Sequence, residues 1–347
     1  MSGTRGARPR SLRLQDVAEA AGVSIATASR SLSGSPGVSE SVAERVREVA
    51  RSLGFVANVH ARSLAAGHSR SVGLVVHEIG DPYFSEIASG VLGVAAASGL
   101  SVQICHSGRD PARELEQIRM LVANRVGAIV IAGSGFVDAP VQADAKADLQ
   151  AFRANGGKVA VIGRHHLGVD AVLPDNHGGG YAVGSHLLGL GHRRIAVVTG
   201  SRRLTTIADR LAGVEEAISE AGLAFGDVPV VEAEFTRGGG KQAAETVLAE
   251  HPDVTAVLAL NDDMAIGVLS VLRARGVAVP RQVSVAGFDD VAVAQDLSPS
   301  LTTVRLPMVD MGAKALELAL LPPSPRPRRR RVGHELVVRD STAAPDA

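Results

Sequence analysis

The sequence predicts an α/β protein: an N-terminal helix-turn-helix head, followed by a two-lobed core of parallel sheets flanked by helices. Three observations support this prediction. Two short helical patterns lie within residues 14–30, β-branched runs alternate with helical stretches after residue 70, and charge is divided unevenly between these regions. A chain of 347 residues, 46% of them hydrophobic, is long and apolar enough for two or three domains.

Residues 14–30 read LQDVAEAAGVSIATASR, two helical patterns separated by a short turn. The apolar residues of the first pattern recur on one helix face: Leu14, Val17, Ala18 and Ala21. Gly22 can adopt the positive φ that a sharp turn requires, and Ser24 is a suitable N-cap for the second helix. The pattern predicts a helix-turn-helix, with an ordinary αα-hairpin inside an all-helical domain as the alternative.

A third helix is predicted between the N-cap Ser39 and Gly54, with an apolar stripe formed by Val42, Val46, Val49 and Leu53. Residues 1–70 hold ten arginines, no lysine and five acidic residues, a formal charge of +5. Because the whole chain is formally neutral, residues 71–347 carry −5. A basic helical head is typical of a nucleic-acid binder, although solvated charge alone could give the same division.

Beyond the head, short apolar runs alternate with helical stretches, as in βαβ units on a parallel sheet. Strands are predicted in two series, at 72–76, 102–105, 128–132 and 159–162, and at 195–198, 228–231, 256–260 and 283–286. The tail is expected to add a strand at 301–304, a helix at 309–321 and a last strand in VGHELVVRDST. Two lobes, 71–168 and 169–299, should therefore hold a ligand between them, outside the carboxyl ends of their strands.

Several separate motifs resemble the lac repressor (LacI/GalR) family. In the head they are LQDVAEAAGVSIATASRSL, VSESVAERV and GFVANVHARSLAAGHS; in the core they are DPYFSEI, DNHGGG, GHRRIAVVTG, NDDMAIG, GFDD, LTTVRLP and LVVRDST. The resemblance extends over nearly the whole chain and implies a periplasmic-binding-protein-like core. It also implies a sequence-specific transcriptional regulator, a repressor whose operator affinity is controlled by a small-molecule effector bound between the lobes.

By this resemblance, the second helix of the head lies in the major groove of DNA. Ile25, Ala26 and Arg30 would face the bases, whereas Ser24, Thr27 and Ser29 would contact phosphates. Arginine suits bidentate contact with guanine, and Ile25 and Ala26 suit apolar contact with a thymine methyl group. The hinge helix would span residues 58–66, with Asn58 at its start and Leu64 as a wedge between base pairs.

The head departs from the family pattern at three places. The family usually has a threonine cap before the first helix, where this chain has Arg13, whose side chain cannot accept amide hydrogen bonds. Ser33 replaces the usual asparagine at the end of the second helix. Phe55-Val56-Ala57-Asn58 replaces the usual Tyr-x-Pro-Asn before the hinge. Together, the three departures affect which operator sequence is expected and how stiff the hinge is, but they do not change the predicted fold.

The resemblance also implies effector contacts in the core. Arg210 and Asp289 would grip ligand hydroxyls or a carboxylate, and Asn261 would supply an amide. The other candidates are the aromatic side chains and one hydroxyl, Tyr83, Phe84, Phe235 and Thr206, with Asp175 and Arg164 as weaker candidates. Each has a structural alternative, since Asp289 and Asn261 could cap the following helices and Tyr83 could pack between the lobes.

These observations divide the chain into a DNA-binding domain (1–69, with the helix-turn-helix at 14–53) and an effector-binding and dimerisation domain (70–347). The first lobe should comprise about 71–168 plus 302–330, and the second about 169–299 plus the C-terminal strand. We expect a homodimer on double-stranded palindromic operator DNA. The resemblance favours a sugar or sugar derivative as effector, but with no Trp, two Tyr and seven Phe, a nucleoside or a small acid remains an alternative.

Other classes of protein find less support in the sequence. A solute-binding protein of the same core would have a signal peptide and no basic head. An enzyme would need a nucleophile elbow, P-loop or dinucleotide loop, and none is found. Cys105 is the single cysteine, His165-His166 lacks a third ligand, and PRPRRRR (325–331) suits an exposed loop. We therefore expect no enzyme activity, no cofactor, no metal and no membrane span, and a cytoplasmic location.

Overall fold

The computed structural model describes residues 12–34, 36–55 and 70–346. The chain divides into two compact units, residues 1–69 and residues 70–347. Within these ranges the helices are α1 Leu14–Ala21, α2 Ile25–Ser33, α3 Glu40–Ser52, α4 Pro82–Ala97, α5 Pro111–Ala123, α6 Ala143–Ala154, α7 Asn176–Gly189, α8 Thr205–Glu220, α9 Arg237–Glu250, α10 Asp262–Ala274 and α11 Met308–Leu320. The strands are β1 Ser71–Val76, β2 Ser101–His106, β3 Ala128–Ala132, β4 Lys158–Ile162, β5 Asp170–Pro174, β6 Ile195–Thr199, β7 Val230–Glu232, β8 Ala256–Ala259, β9 Ser284–Ala286, β10 Thr303–Arg305, β11 Arg329–Val332 and β12 Glu335–Val337.

The first unit contains the predicted helix-turn-helix. Gly22 has a φ of 63° at the end of α1, and the Ser24 hydroxyl accepts a hydrogen bond from the Thr27 amide at 3.0 Å at the start of α2. The three helices enclose a small apolar core formed by Val17, Ala18, Ala21, Ala28, Val46 and Ala50. Arg13 precedes α1 without a side-chain cap, but its backbone N–H donates to the Asp16 carboxylate at 2.6 Å, the reciprocal hydrogen bond of a capping box. The predicted hinge helix at 58–66 lies outside the described residues.

The second unit contains two parallel sheets with helices packed around them, as the sequence predicts. The first sheet has six strands in the order β11-β5-β4-β3-β1-β2. The second sheet has four strands in the order β7-β6-β8-β9. β3 in the first sheet and β6 and β8 in the second are buried along their whole length, which explains why their sequences are continuous apolar runs rather than alternating ones. None of the described helices is long and apolar enough to cross a membrane.

The lobe boundaries differ from the sequence expectation at two places. Residues 170–174 were assigned to the second lobe with no strand predicted there, but they form β5, which pairs with β4 in the first sheet through Ala160↔Asp170 and the residues that follow. In the tail, β10 was expected in the first lobe, but it pairs with β12 instead, and bridges join this segment to the second sheet at Ala286↔Thr302 and Asp289↔Arg305. Sheet membership depends on pairing between distant segments, which an apolar run does not reveal by itself.

The arginine run was expected as an exposed loop, but its last three residues belong to a strand. Residues 329–332 pair with β5 as the edge strand of the first sheet, in the register Arg329↔Ala171. Arg329, Arg330 and Arg331 are all exposed and only Val332 is buried, so this strand shows no apolar alternation. Charged side chains on an edge strand commonly prevent it from pairing with other chains. The same charged composition explains why the apolar pattern of the sequence did not predict this strand.

Candidate functional site

A cavity lies between the two lobes of the core, beside the carboxyl ends of strands from both sheets. Its empty volume is about 490 Å³ with the open mouth included. All seven candidate residues of the core line it: Tyr83, Phe84, Thr206, Arg210, Phe235, Asn261 and Asp289. They come from segments widely separated along the chain, and the strand ends bring them together. We call this space the interlobe cavity.

Arg210 is held in a fixed position at the second-lobe wall of the cavity. Only 2% of its surface is exposed. Its guanidinium donates to the Asn176 side chain at 3.0 Å, to the Leu260 carbonyl at 2.6 Å and to Asp289 at 2.6 Å, and it stacks 3.7 Å from the centroid of the Phe288 ring. A guanidinium has five N–H donors, so two remain for other partners.

Asp289 is the partner of Arg210 in a buried ion pair and has an uncommon backbone conformation. Its φ of 114° is rare for a residue other than glycine, and such backbone strain occurs mainly at functional sites. Burial raises the pKa of Asp289 to about 7, although the neighbouring Arg210 opposes that rise. The side chain makes no capping hydrogen bond to a following helix in the described residues, so the capping alternative for Asp289 is wrong.

Asn261, by contrast, is an N-cap and a cavity residue at once. Its side-chain oxygen accepts from the Met264 amide at 2.9 Å and so caps α10. The capping alternative is therefore correct for Asn261, although the residue also lines the cavity. Its side-chain amide nitrogen makes no hydrogen bond to another described residue. The hydrogen bond from Met264 fixes the Asn261 side-chain oxygen, so the side-chain nitrogen is the group that can donate to a ligand.

Three aromatic side chains line the cavity from both lobes. The rings of Tyr83 and Phe84 meet edge to face, with centroids 5.0 Å apart, at the start of α4. Burial raises the pKa of the Tyr83 hydroxyl. Phe235 comes from the second lobe, and the Arg109 guanidinium lies 5.0 Å from the centroid of its ring, within the range of a cation–π contact. Arg109 belongs to the first lobe, so this contact spans the cavity.

Arg109 and Asp81 are cavity residues that the sequence analysis missed. They form an ion pair with an N–O distance of 3.3 Å, and burial raises the pKa of Asp81. The Asp81 side chain also caps α4 by accepting from the Tyr83 amide at 3.0 Å. Asp81 could have been recognised as the first residue of the DPYFSEI motif. Arg109 follows β2 in a left-handed conformation with a φ of 62° and carries no recognisable motif.

Thr206 lies where the two lobes touch beside the cavity. Its backbone N–H donates to the Ser134 hydroxyl at 2.9 Å, from the second lobe to the first. Next to it, the buried Thr205 hydroxyl hydrogen-bonds the Arg164 carbonyl at 2.8 Å. These interlobe hydrogen bonds hold the lobes together in the arrangement seen here.

The two weaker candidates are placed elsewhere. Asp175 caps α7 by accepting from the Gly178 amide at 3.0 Å, and its other oxygen lies 2.8 Å from His334. Arg164 forms a two-bond ion pair with Asp209. Neither side chain lines the interlobe cavity, so both act in local structure and interlobe contact.

The second helix of the head exposes part of the predicted DNA-reading set. Ile25 is 51% exposed, an unusual position for a large apolar side chain, and Ala26 and Arg30 are also exposed. The Ser24 and Thr27 hydroxyls lie 2.8 Å apart and form a hydrogen bond at the N-terminus of α2, while Ser29 is half-buried. The remaining two candidates, Asn58 and Leu64, lie outside the described residues.

Two segments of the chain match known families. Residues 13–58 match the family described as bacterial regulatory proteins, lacI family. Residues 185–342 match the periplasmic binding protein-like domain. The first match covers the described helices of the head, and the second covers most of the second lobe together with the tail.

Individual relatives cover almost the whole chain. It is 34% identical to the HTH-type transcriptional regulator GalR of Escherichia coli over 316 residues, 90% of each chain. It is 30% identical to the HTH-type transcriptional repressor PurR of Vibrio campbellii, over 94% of this chain and 98% of that one. The solved structure of the transcriptional regulator CelR–cellobiose complex is similar with a TM-score of 0.70 and 30% identity, over 95% of this chain and 99% of that one. These similarities therefore include the head and the core together.

Proposed function

The chain belongs to the lacI family of bacterial regulatory proteins, and on that basis we propose that it represses transcription from operator DNA under the control of a small-molecule effector. The observation that carries the proposal is the joining, in one chain, of an exposed recognition helix to a core with a polar interlobe cavity. A solute-binding protein would have no use for such a head. The relatives named above are transcriptional regulators, not enzymes.

The proposed DNA contacts lie on α2. Ile25 and Ala26 contact bases through apolar surface, and Arg30 reads a guanine from the exposed end of the helix. Ser24, Thr27 and Ser29 bind phosphates from the N-terminal turn of α2 and the turn that follows, where backbone N–H groups also favour an anion. The exposure of Ile25 supports this assignment, because contact with a thymine methyl group would remove its apolar surface from water, which is favourable.

We further propose a homodimer on a palindromic operator. A single head reads only a few base pairs, and helix-turn-helix proteins gain affinity and specificity by placing two recognition helices in successive major grooves. A twofold-symmetric protein then requires a pseudo-palindromic site with a fixed spacing between its halves.

The effector that suits the cavity best is a neutral polyhydroxyl compound such as a sugar. The four charged side chains that face each other across the cavity form two ion pairs, Asp81 with Arg109 and Asp289 with Arg210, so their formal charges cancel. A small acid would bring an unbalanced charge into a buried site, which is costly. Hydroxyl groups can instead donate to the carboxylates and accept from the guanidiniums. A relative of known structure binds cellobiose, which agrees with this choice.

Effector binding would control DNA binding through the lobes. A ligand that touches both walls of the interlobe cavity favours one arrangement of the lobes over others. A dimer binds its operator only when its two heads match the spacing of the half-sites, so a change between lobes alters operator affinity.

The test combines operator selection with a screen of metabolites. Binding-site selection from random DNA should yield a palindrome, and sedimentation should give the mass of a dimer. Thermal unfolding is measured with sugars, nucleosides and small acids. A ligand at about 100 times its Kd stabilises a protein by about 2.7 kcal/mol, so a true effector is readily detected. We expect that effector to be a sugar. Operator binding with that compound shows whether it releases or promotes repression. Failure to select any DNA sequence would contradict the proposed function.

A further inference from the structure

A second cavity lies at the join between the lobes and is separate from the interlobe cavity. It is lined by Phe136, Val137, Asp138, Val141, Arg202 and Arg203, and its empty volume is about 590 Å³ with the open mouth included. The first four residues follow β3 in the first lobe, and the two arginines follow β6 in the second. None of them lines the interlobe cavity. We call this space the seam cavity.

The floor of the seam cavity is apolar. Phe136 is buried, whereas Val137 beside it is 48% exposed and Val141 is half-buried. Single exposed apolar residues are ordinary, but here three apolar side chains are contiguous and concave. When the cavity is empty, water contacts this apolar floor. An apolar group that covers the floor removes it from water, which favours binding.

The rim of the seam cavity carries unbalanced positive charge. Arg202 and Arg203 are both exposed, and within residues 70–346 no carboxylate lies within ion-pair distance of either guanidinium. Asp138 stands on the same rim and is likewise without an ion pair in that range. Two arginines against one aspartate give a formal charge of +1. Arg202 and Arg203 are consecutive in the chain, and a guanidinium group suits a carboxylate or phosphate, which can accept several N–H groups at once.

We propose that the seam cavity is a second ligand site, for a small amphiphilic anion with a compact apolar body and one carboxylate or phosphate. The apolar body packs on Val137, and the anionic group binds Arg202 and Arg203. This site goes beyond the proposed function, which uses only the interlobe cavity and the head.

A ligand there would touch both lobes at the point where their backbones meet. The Val137 amide donates to the Arg203 carbonyl at 2.8 Å, and Phe136 forms an antiparallel bridge with Leu204. The same segment continues to Leu204 and Thr206, which line the interlobe cavity. A ligand in the seam cavity therefore stabilises the interlobe arrangement that also shapes the first site. Binding of a ligand in the seam cavity therefore raises the affinity of the interlobe cavity for its own ligand. By thermodynamic linkage, a ligand in the interlobe cavity raises the affinity of the seam cavity equally.

The experiment is calorimetric titration of the full-length protein with phenyl phosphate, and with phenol and inorganic phosphate as the two halves of that probe. Phenyl phosphate should bind saturably, and each half should bind at least about tenfold more weakly, because phenol lacks the charge-assisted hydrogen bonds and inorganic phosphate lacks the apolar contact. Arg202→Gln combined with Arg203→Gln should weaken phenyl phosphate at least about tenfold. Val137→Ser should weaken phenyl phosphate and leave inorganic phosphate unchanged.

The control variant is Arg281→Gln, which removes an exposed arginine of the second lobe that has no ion pair within residues 70–346. It should bind phenyl phosphate as the wild type does. Equal affinity in the double variant and the wild type would overturn the proposal, and so would inorganic phosphate binding as tightly as phenyl phosphate. Weakening by Asp289→Asn but not by the arginine variants would assign the probe to the interlobe cavity instead. None of these measurements requires DNA, so their failure is distinct from a failure of the proposed function.

Discussion

Nη2 of Arg210 lies 2.6 Å from Oδ1 of Asp289, and both side chains are almost completely buried. Each of them was predicted from the sequence to contact a ligand, and both line the interlobe cavity. The structure also pairs them with each other, so a ligand must share a network that already exists. A substitution here consequently has two separable effects, one on stability and one on effector binding.

The first prediction concerns stability. Above about pH 7, where Asp289 is ionised, Arg210→Met should lower the free energy of unfolding of the core by about 3–5 kcal/mol, because it leaves the Asp289 carboxylate buried and unpaired. Arg210→Met combined with Asp289→Leu should recover much of that loss, since the uncompensated charge is removed as well. Denaturant unfolding of the wild type, the single and the double variant measures both effects. Equal stability in the single variant and the wild type would show that the pair is solvated.

The second prediction concerns the effector. Asp289→Asn keeps the shape of the side chain but removes its charge, and should weaken the effector found by thermal screening at least about tenfold, since a hydrogen bond to a charged group is worth about 1.5–3 kcal/mol. Operator binding without effector should survive. Asp175→Asn is the control, a capping carboxylate outside the cavity, and should bind effector normally. Loss of operator affinity by Asp289→Asn without effector would mean that the residue only maintains the fold.

The third prediction follows from the raised pKa of Asp289. Burial raises that pKa to about 7 from an ordinary value near 3.8, so between these values the folded protein holds a proton that the unfolded chain releases. Unfolding is then favoured progressively as the pH rises through this window. The free energy of unfolding of the wild type, minus that of Asp289→Asn, should fall as the pH rises from about 4 to about 7 and stay level above. A rise over the same range would show that Arg210 lowers the pKa instead.

The fourth prediction concerns base reading by α2. Arg30→Ala should cost about 1–3 kcal/mol on the selected operator and relax the preference at one base pair in each half-site. Arg45→Ala, which removes an exposed arginine of α3, should leave that preference intact. Binding to a set of operators with single base changes measures this. A uniform loss on every sequence, with the preference kept, would make Arg30 a phosphate contact.

The fifth prediction concerns the proposed hinge, which lies outside the described residues. Leu64→Ala should weaken operator binding and reduce DNA bending, because a methyl group is too short to separate stacked base pairs. Thermal stability of the core and effector affinity should stay as in the wild type. A bending assay that gives the same angle for both proteins would rule out Leu64 as the wedge.

The sequence by itself determined the local structures and their order. Helical spacing from Leu14 to Ala21, Gly22 at the turn and Ser24 as a cap specify the head, because these features act over one or two turns of chain. The buried strands can likewise be predicted from their apolar runs. The resemblance to the family also identified seven of the side chains that line the cavity, although it missed Arg109 and Asp81.

Only the tertiary structure decided which partners these groups have. It placed β5 and the arginine strand β11 in the first sheet, paired Arg210 with Asp289, and brought Arg109 to Asp81 and Phe235. Each of these contacts joins segments far apart in the chain, for example residues 109 and 235. Their energies depend on burial and on distances of a few ångströms. Sequence patterns report the periodicity of neighbouring residues, whereas charge pairing, pKa and strand order arise only when distant segments share one space.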